Sequence, residues 1–574
     1  MPSLRLALCC AVLACLALWG VRLAVGDDLM NRDQERPVSY ILDAVQNGSW
    51  IVQRDARGVV CSKPPLYTWI GAAAGSVVGV NQASWTLPAL LGTVAAVVAV
   101  LLLGWRCLSP AAGMLATGMF LASSPGTKMP GLVRNDSLFA GAIALAALAA
   151  LLAWNRRVSW VWFYLAVTLA TLAKGPLGLV FAACGLLAWW WERRRKDGPE
   201  LPPRTAWRGH ALGVGLFIVL SAGWFALALL AQGQDVWNRL IGRELVGHVV
   251  SGDGGAKPGS QAYYPFFYLL TRYLPWSLVG LMAAVVAWRR PPADPLVRRT
   301  LRFLTCWLLG GLVLLAFAGH QRADLLMPLW APTVLLAGWW ASTWTWLRPR
   351  AGIASAVLAV IAVLIAVLYY AVGYRQDPLV AMSERVAVLA QQARTEERER
   401  SLPLTLADVP LAVQIQLSRW QPSADGAATL LGPAPALVVA SRPQELAEQV
   451  RAQGGMATVL AEVAGVPKAG VLSLGVLLNR AATETIAPAA TVAWAIGPLA
   501  CEGAGLRPLA LTWRHISATE RRVELTLESI APSPHLRLRN RGELTLRLTL
   551  RLSVRSDTQI RELELAPGAD VTPW

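Results

Sequence analysis

Long apolar stretches recur over the first 374 residues of this chain, and they limit its fold more than any other feature. Eleven of them approach or exceed the length that a helix needs to cross a bilayer, about 20 residues. Their ranges are 4–26, 84–104, 108–123, 136–154, 158–173, 176–192, 211–231, 264–288, 299–318, 325–346 and 352–374. With 55% hydrophobic and 15% charged residues, the sequence is typical of a polytopic α-helical membrane protein. We therefore predict a membrane domain of about 11 crossings over residues 1–374.

Basic residues are concentrated in short loops between these stretches, at 156–157, 193–196, 289–302 and 348–350. The side of the membrane on which these loops lie depends on whether the apolar segment 63–80 crosses the membrane. If it is interfacial or re-entrant, and if 4–26 is a retained anchor rather than a signal peptide, all of these loops are cytoplasmic, as the positive-inside rule favours. The net charge of +17 then reflects membrane orientation. Nucleic-acid binding is excluded, because no basic stripe alternates with aromatic residues.

The character of the sequence changes at about residue 375, where charged residues return every few positions. Residues 375–480 mix helical and short strand patterns, which predicts a small α/β region. Residues 481–574 alternate apolar and polar side chains, which is typical of an antiparallel, sandwich-like sheet. The preferred topology places both regions on the extracytoplasmic side.

Two charged motifs follow the first apolar stretch. The segment DDLMNRDQER occupies 27–36, and SKPPLYTW occupies 62–69. Asp33 can act as a general base toward an acceptor hydroxyl, or it can simply cap a helix in a solvated loop. Lys63, held extended by the following prolines, can neutralise a lipid phosphate or place its ammonium harmlessly at the membrane surface.

Three further charged motifs interrupt the apolar stretches, and they lie on the same predicted side of the membrane. Arg134 and Asp136 directly precede an apolar stretch, so Asp136 either caps that helix or orients an acceptor or a cation. Lys174 stands in a Lys-Gly-Pro break that is also ordinary turn sequence. The segment GHQRAD at 319–324 adds His320 and Arg322. Loop 233–262 carries Glu244 and His248, but no second histidine lies near enough in sequence to indicate a metal site.

This ordered set of motifs resembles the membrane glycosyltransferases of the GT-C fold. It is most similar to the aminoarabinose transferases that modify lipid A and to their protein O-mannosyltransferase relatives, over about residues 1–350. The resemblance implies that Asp33 is the catalytic base and that Asp136 helps hold the acceptor. It implies that Lys63, Lys174 and Arg322 bind the phosphate of the donor. Supporting roles fall to Glu35, Arg36, Arg134, Glu244, His248 and His320.

Two positions depart from the aminoarabinose transferase pattern. Ser62 stands where that family tends to have a glutamate, and Leu245 stands where it tends to have a histidine. Those family residues can bind a metal. We therefore assign no metal site, although a divalent metal stays possible, and the sugar stays open.

The expected function is inverting transfer of a sugar from a polyprenyl-phosphate donor to an envelope lipid or glycan, on the outer face of the bacterial inner membrane. Protein O-glycosylation is the alternative acceptor chemistry. A non-enzymatic transporter or sensor is a second alternative, and it requires a path of polar residues through the membrane helices. The interiors of the predicted helices are instead nearly free of charge, and the charged motifs lie on one side of the membrane.

Overall fold

The computed structural model describes residues 2–30, 32–193, 207–242, 262–318, 322–465 and 471–573. In the last range, short gaps occur at 472, 480–491, 497–498, 505, 516–519, 530–534, 542–544 and 555–556. The chain divides into two compact units. One comprises residues 1–25 and 36–375, and the other comprises residues 26–35 and 376–574.

The described secondary structure of the first unit is helical, apart from an isolated β-bridge between Arg54 and Val60. Its helices are α1 (Leu4–Leu23), α2 (Arg32–Asn47, whose first turn holds the unit boundary), α3 (Leu66–Val78), α4 (Gln82–Cys107), α5 (Pro110–Leu121), α6 (Ser124–Lys128), α7 (Asn135–Trp154), α8 (Val161–Lys174), α9 (Leu177–Cys184), α10 (Ala188–Arg193), α11 (Trp207–Phe217), α12 (Gly223–Val236), α13 (Tyr264–Arg272), α14 (Trp276–Arg289), α15 (Pro295–Ala316), α16 (Met327–Ser342) and α17 (Ala351–Leu368). Short 3₁₀ turns occupy Met129–Gly131, Gly185–Leu187, Ala323–Leu326 and Arg348–Arg350, and π-helical turns occupy Ile218–Ala222 and Tyr369–Tyr374.

All 11 predicted apolar stretches lie on helices, but helix length alone does not confirm 11 crossings. Among the described residues, seven helices are long and apolar enough to span a membrane. An eighth span results if α13 and α14, which meet at a bend of 112°, are counted together. The stretches 108–123 and 158–173 form helices of only 12 and 14 residues.

One predicted basic loop is largely helical. Arg298, Arg299 and Arg302 belong to the first turns of α15, which the side chain of Asp294 caps. Arg302 forms a buried ion pair with Glu192, and Arg299 donates to Asn155 Oδ1 over 2.5 Å. The prediction that these arginines lie in a loop was wrong. Arg299 and Arg302 are buried in the helix because their side chains have long apolar stems and their charged groups have specific partners.

Close packing of α4 against α7 fixes the start of α7, where two of the predicted site residues lie. A Cβ atom on Gly92 would stand 2.4 Å from Leu138 Cα, and one on Gly141 would stand 2.2 Å from the Gly92 carbonyl oxygen. Only glycine permits this approach of two membrane-length helices. The position and rotation of α7 are therefore set by backbone contact.

The second unit begins with α18 (Pro378–Arg400) and continues as a small α/β region. Helices α19 (Leu411–Gln416), α20 (Gly426–Leu431) and α21 (Pro443–Ala452) alternate with strands β1 (Leu404–Ala407), β2 (Leu437–Ser441), β3 (Ala457–Ala464) and β4 (Ser473–Asn479). The sheet order is β1-β2-β4-β3, in which only the β1–β2 pair is parallel.

Two four-stranded sheets follow, in the orders β11-β10-β8-β7 and β12-β9-β6-β5. Their strands are β5 (Val492–Ile496), β6 (Leu499–Ala504), β7 (Leu506–His515), β8 (Glu520–Ser529), β9 (His535–Asn540), β10 (Thr545–Val554), β11 (Asp557–Leu565) and β12 (Asp570–Val571). The predicted antiparallel pairing is wrong for β8 and β10, which pair in parallel, because alternation along a strand does not report the direction of its neighbour. Leu499 and Leu538 of one sheet share a buried core with Leu525 and Leu548 of the other. The predicted fold class, a helical membrane domain followed by α/β and sandwich-like regions, is confirmed.

Residues 26–35 pack within the second unit, although they lie far from the tail in sequence. The backbone N–H of Met30 donates to Ser383 Oγ over 3.2 Å, and Gln416 Nε2 donates to Asp27 Oδ2 over 2.6 Å. Sequence patterning assigned this segment to the membrane domain, because no local signal reports contacts that span more than 350 residues.

Candidate active site

The centre of the candidate site is an ion pair between Asp136 and Lys174. The Lys174 ammonium donates to Asp136 Oδ1, and the Lys174 and Asp136 side chains are 12% and 15% exposed. Asp136 lies in the first turn of α7 and Lys174 in the last turn of α8. Each charge therefore lies at the helix end whose dipole stabilises it.

One hydrogen bond from a side chain to the backbone joins these two helix ends, and a second anchors the start of α7. Asn135 Nδ2 donates to the Ala173 carbonyl oxygen over 2.6 Å, and Ser137 Oγ donates to the Met129 carbonyl oxygen over 2.9 Å. Gly175 has a φ of +82°, which glycine adopts more readily than other residues, and it ends α8 immediately after Lys174. The Arg-Asn-Asp and Lys-Gly-Pro motifs are thus parts of one site.

A second ion pair brings in a third motif. Arg134 Nη1 lies 2.5 Å from Asp324 Oδ2, and the Arg134 side chain is 15% exposed. Asp324 belongs to the 3₁₀ turn that leads into α16, and Arg322 is the residue that precedes this turn. The Tyr273 hydroxyl donates to the Ala323 carbonyl oxygen over 3.3 Å, which fastens the turn from another side.

The loop that leads to Lys63 is anchored on both sides. Arg54 forms an ion pair with Asp235 over 2.8 Å, and its backbone N–H donates to Asp43 Oδ2. Trp224 Nε1 donates to the Ile51 carbonyl oxygen over 3.0 Å. Lys63 itself is half-buried and lies three residues before α3. Its backbone position is therefore fixed by a structured loop.

The acidic motif of the first predicted loop forms the start of α2. Asp33 is half-buried, Glu35 is 3% exposed and Arg36 is exposed on the following position. Asp33 and Glu35 lie in the first turn of the helix, where carboxylates are favoured. Glu244, His248 and His320, which sequence patterning selected, lie outside the described residues.

No group of three or more His, Cys, Asp or Glu side chains with metal-site geometry occurs within the described part of the chain. Cys61, in the loop before Lys63, is buried, and burial raises the pKa of its thiol to about 11. Cys61 packs in a buried cluster with Tyr40, Val52 and Val60.

Two features of this end of the bundle were missed by sequence patterning. Asp324 was not recognised as the partner of Arg134, because the two residues are 190 positions apart. A cavity of about 310 Å³ also lies beside Lys128, whose ammonium is 4.8 Å from the ring centre of Tyr369. The sequence feature that could have indicated this cavity is the single lysine of the segment SPGTK, which lies in the same predicted loop as Arg134.

Parts of the chain are similar to known proteins. The family described as dolichyl-phosphate-mannose-protein mannosyltransferase matches residues 62–221. Two curated relatives, from Pectobacterium atrosepticum and Pectobacterium carotovorum, are each 24% identical over 55% of this chain. Both are named undecaprenyl phosphate-alpha-4-amino-4-deoxy-L-arabinose arabinosyl transferase. The chain spans about half, 55%, of the length of these relatives.

Among solved structures, the chain is similar to ArnT from Cupriavidus metallidurans bound to undecaprenyl phosphate. The TM-score is 0.63 at 16% identity, and the match covers 82% of this chain and 98% of that chain. The apo state of the same protein gives a TM-score of 0.61. The chain has the ArnT-like fold, and the resemblance to GT-C membrane glycosyltransferases that the motifs predicted is confirmed.

Proposed function

We propose that this protein is an inverting glycosyltransferase that moves a sugar from a polyprenyl-phosphate donor to an envelope lipid or glycan. The observation that carries the proposal is the joining of three motifs by the Lys174–Asp136 and Arg134–Asp324 ion pairs. These side chains lie at the ends of helices with membrane character, where a lipid-linked phosphate is accessible. The ArnT-like fold supports the same donor class.

In the proposed reaction, a carboxylate oxygen of Asp33 takes the proton from the acceptor hydroxyl. The hydroxyl oxygen then attacks the anomeric carbon, and the bond from that carbon to the phosphate oxygen breaks. One in-line displacement inverts the anomeric configuration and releases the polyprenyl monophosphate. The contribution of Asp33 to the rate is largest when the acceptor hydroxyl lies within hydrogen-bond reach of its carboxylate and in line with the leaving oxygen.

The cations act on the leaving group. A sugar phosphodiester carries one negative charge, and the departing monophosphate develops a second. Lys63, Lys174 and Arg322 stabilise this added charge, which makes their interaction stronger in the transition state than in the bound donor. Asp136 keeps the Lys174 ammonium in place before the donor arrives, so little reorganisation accompanies binding.

The proposed setting is the bacterial inner membrane, with the reaction on its outer face. In this arrangement residues 1–374 contain the catalytic apparatus, and the regions 375–480 and 481–574 are extracytoplasmic. The family match over residues 62–221 favours one alternative acceptor, a hydroxyl of a protein. A deletion strain tests both acceptors, by mass spectrometry of envelope lipids, glycans and proteins. Loss of a sugar from a lipid or glycan supports the proposal, loss from a protein establishes the alternative, and an unchanged envelope contradicts both.

Replacing Lys63 with alanine is expected to weaken binding of undecaprenyl phosphate by at least about tenfold, because an ammonium–phosphate hydrogen bond is lost. The measurement is a titration of the purified protein with this lipid, followed by native mass spectrometry. Arg57→Ala is the matched control, since Arg57 is an exposed cation of the same loop, 3.8 Å from Asp55. Equal affinities for wild type and Lys63→Ala would remove Lys63 from the donor site.

A further inference from the structure

A groove between α1, α5 and α17 lies away from the candidate active site. It has a volume of about 480 Å³, which is within the range of ligand-binding cavities. Small residues on two of these helices leave the space open, among them Ala7, Ala11, Gly352, Ala356 and Ala359. The three most exposed candidate spans are α1, the span 207–242 and the span that contains α17. Because two of these border the groove, it opens toward the bilayer.

The groove and the candidate active site are at opposite ends of the helices. The groove begins at Pro2 and Pro349, where a Cβ atom on Gly352 would lie 3.1 Å from Pro2 Cδ. At the other end of α1, the Arg22 side chain lies within 3.0 Å of a Cβ placed on Gly131, three residues before Arg134. Arg5 and Arg22 are separated by about 26 Å of helix rise, most of a bilayer core.

Three arginines are sequence neighbours of residues that line the mouth of the groove. Arg5 adjoins the lining residue Leu6, and Arg348 and Arg350 flank the lining residue Pro349. All three arginine side chains are exposed. Segments 1–26, 100–122 and 343–374, which build the groove, contain no Asp or Glu. The charged side chains that these segments place at the mouth of the groove are therefore all positive.

Aromatic side chains mark the same end as a membrane–water boundary. Trp344 and Trp346 stack with ring centres 6.0 Å apart, and Trp346 is 60% exposed. Arg350 Nη1 donates to the Trp346 carbonyl oxygen over 2.8 Å, which holds the arginine beside the tryptophans. Tryptophan with arginine at a helix end is typical of the headgroup level.

We propose that this groove binds one anionic glycerophospholipid, with an acyl chain in the slot and the phosphate between Arg5, Arg348 and Arg350. The bound lipid fills the space between the peripheral helices α1 and α17 and the more buried α5. Because it binds the folded state, it stabilises the protein by mass action. The site is separate from the proposed donor site and is independent of the proposed reaction.

The test uses the full chain purified in neutral detergent and titrated with dioleoyl phosphatidylglycerol or, for comparison, dioleoyl phosphatidylcholine. Native mass spectrometry measures the retained lipid, and a thermal melt measures stability. Wild-type protein is expected to retain phosphatidylglycerol preferentially and to melt at a higher temperature with it. Arg348→Gln combined with Arg350→Gln should weaken that binding by about 25-fold, since each arginine near an anionic headgroup contributes roughly fivefold.

Two matched controls separate the groove from general surface attraction. Arg289→Gln with Arg290→Gln removes the same charge elsewhere, and should leave phosphatidylglycerol binding unchanged. Ala356→Leu fills the groove and should abolish retention of phosphatidylglycerol. Val357→Leu, at the neighbouring position that is 50% exposed, should leave it unchanged. Equal retention of both lipids, equal loss in the two arginine pairs, or full binding by Ala356→Leu would each overturn the proposal. Displacement of phosphatidylglycerol by undecaprenyl phosphate would also overturn it, because the groove would then belong to the donor.

Discussion

Replacing Asp33 with asparagine is expected to reduce sugar transfer by about 10²–10⁴-fold, the range that a general base contributes. Asparagine keeps the size of the side chain and its place in the first turn of α2, but it cannot take the proton from the acceptor hydroxyl. The measurement is release of undecaprenyl phosphate from a lipid-linked sugar by the purified variant. Binding of undecaprenyl phosphate should stay within about twofold of wild type, since the phosphate contacts are unchanged.

Asp28→Asn is the matched control, because it removes the same charge from the same segment. Asp28 accepts a hydrogen bond from Gln34 Nε2 over 2.5 Å and has no proposed catalytic role. Asp33→Glu should retain part of the activity, since it moves the base without removing it. Near-wild-type transfer by Asp33→Asn, in protein that melts normally, would show that another group is the base.

Replacing Lys174 with methionine is expected to lower the free energy of unfolding and to abolish sugar transfer, because Lys174 is paired with Asp136 in a largely buried position. Loss of one partner leaves the other charge uncompensated, at a cost of about 3 kcal/mol. Asp136→Asn should destabilise for the same reason. Thermal melting of each purified variant, beside its transfer rate, measures the two effects.

The double variant Lys174→Met with Asp136→Asn distinguishes structure from catalysis. Its melting temperature should recover toward wild type, since no unpaired charge remains, whereas its transfer should stay absent and its affinity for undecaprenyl phosphate low. If transfer recovered together with stability, the pair would serve only the fold. If neither recovered, the two side chains would not be coupled as the ion pair requires.

The sequence was sufficient for features that depend on local composition. The apolar runs located most helices of the first unit, and strict alternation located β8, β10 and β11, because burial imposes those periods directly. Helix α2, which contains no long apolar run, was predicted as part of a loop. The order of charged breaks also placed Arg134, Asp136 and Lys174 together, since each interrupts a run at the same predicted side of the membrane.

Features that depend on distant contacts were not predictable in this way. The Arg134–Asp324 pair and the packing of residues 26–35 with α18 join segments separated by 190 and 353 positions. No local period records such contacts. The buried Arg302–Glu192 pair was missed for a related reason, because a charge looks unfavourable inside a helix bundle until its partner is known.

The most direct test of the central claim is a cryo-EM structure of the protein in lipid nanodiscs with undecaprenyl phosphate. We expect density for the lipid phosphate in contact with Lys63, Lys174 and Arg322. Phosphate density elsewhere, or a map in which these three side chains do not share one pocket, would contradict the account.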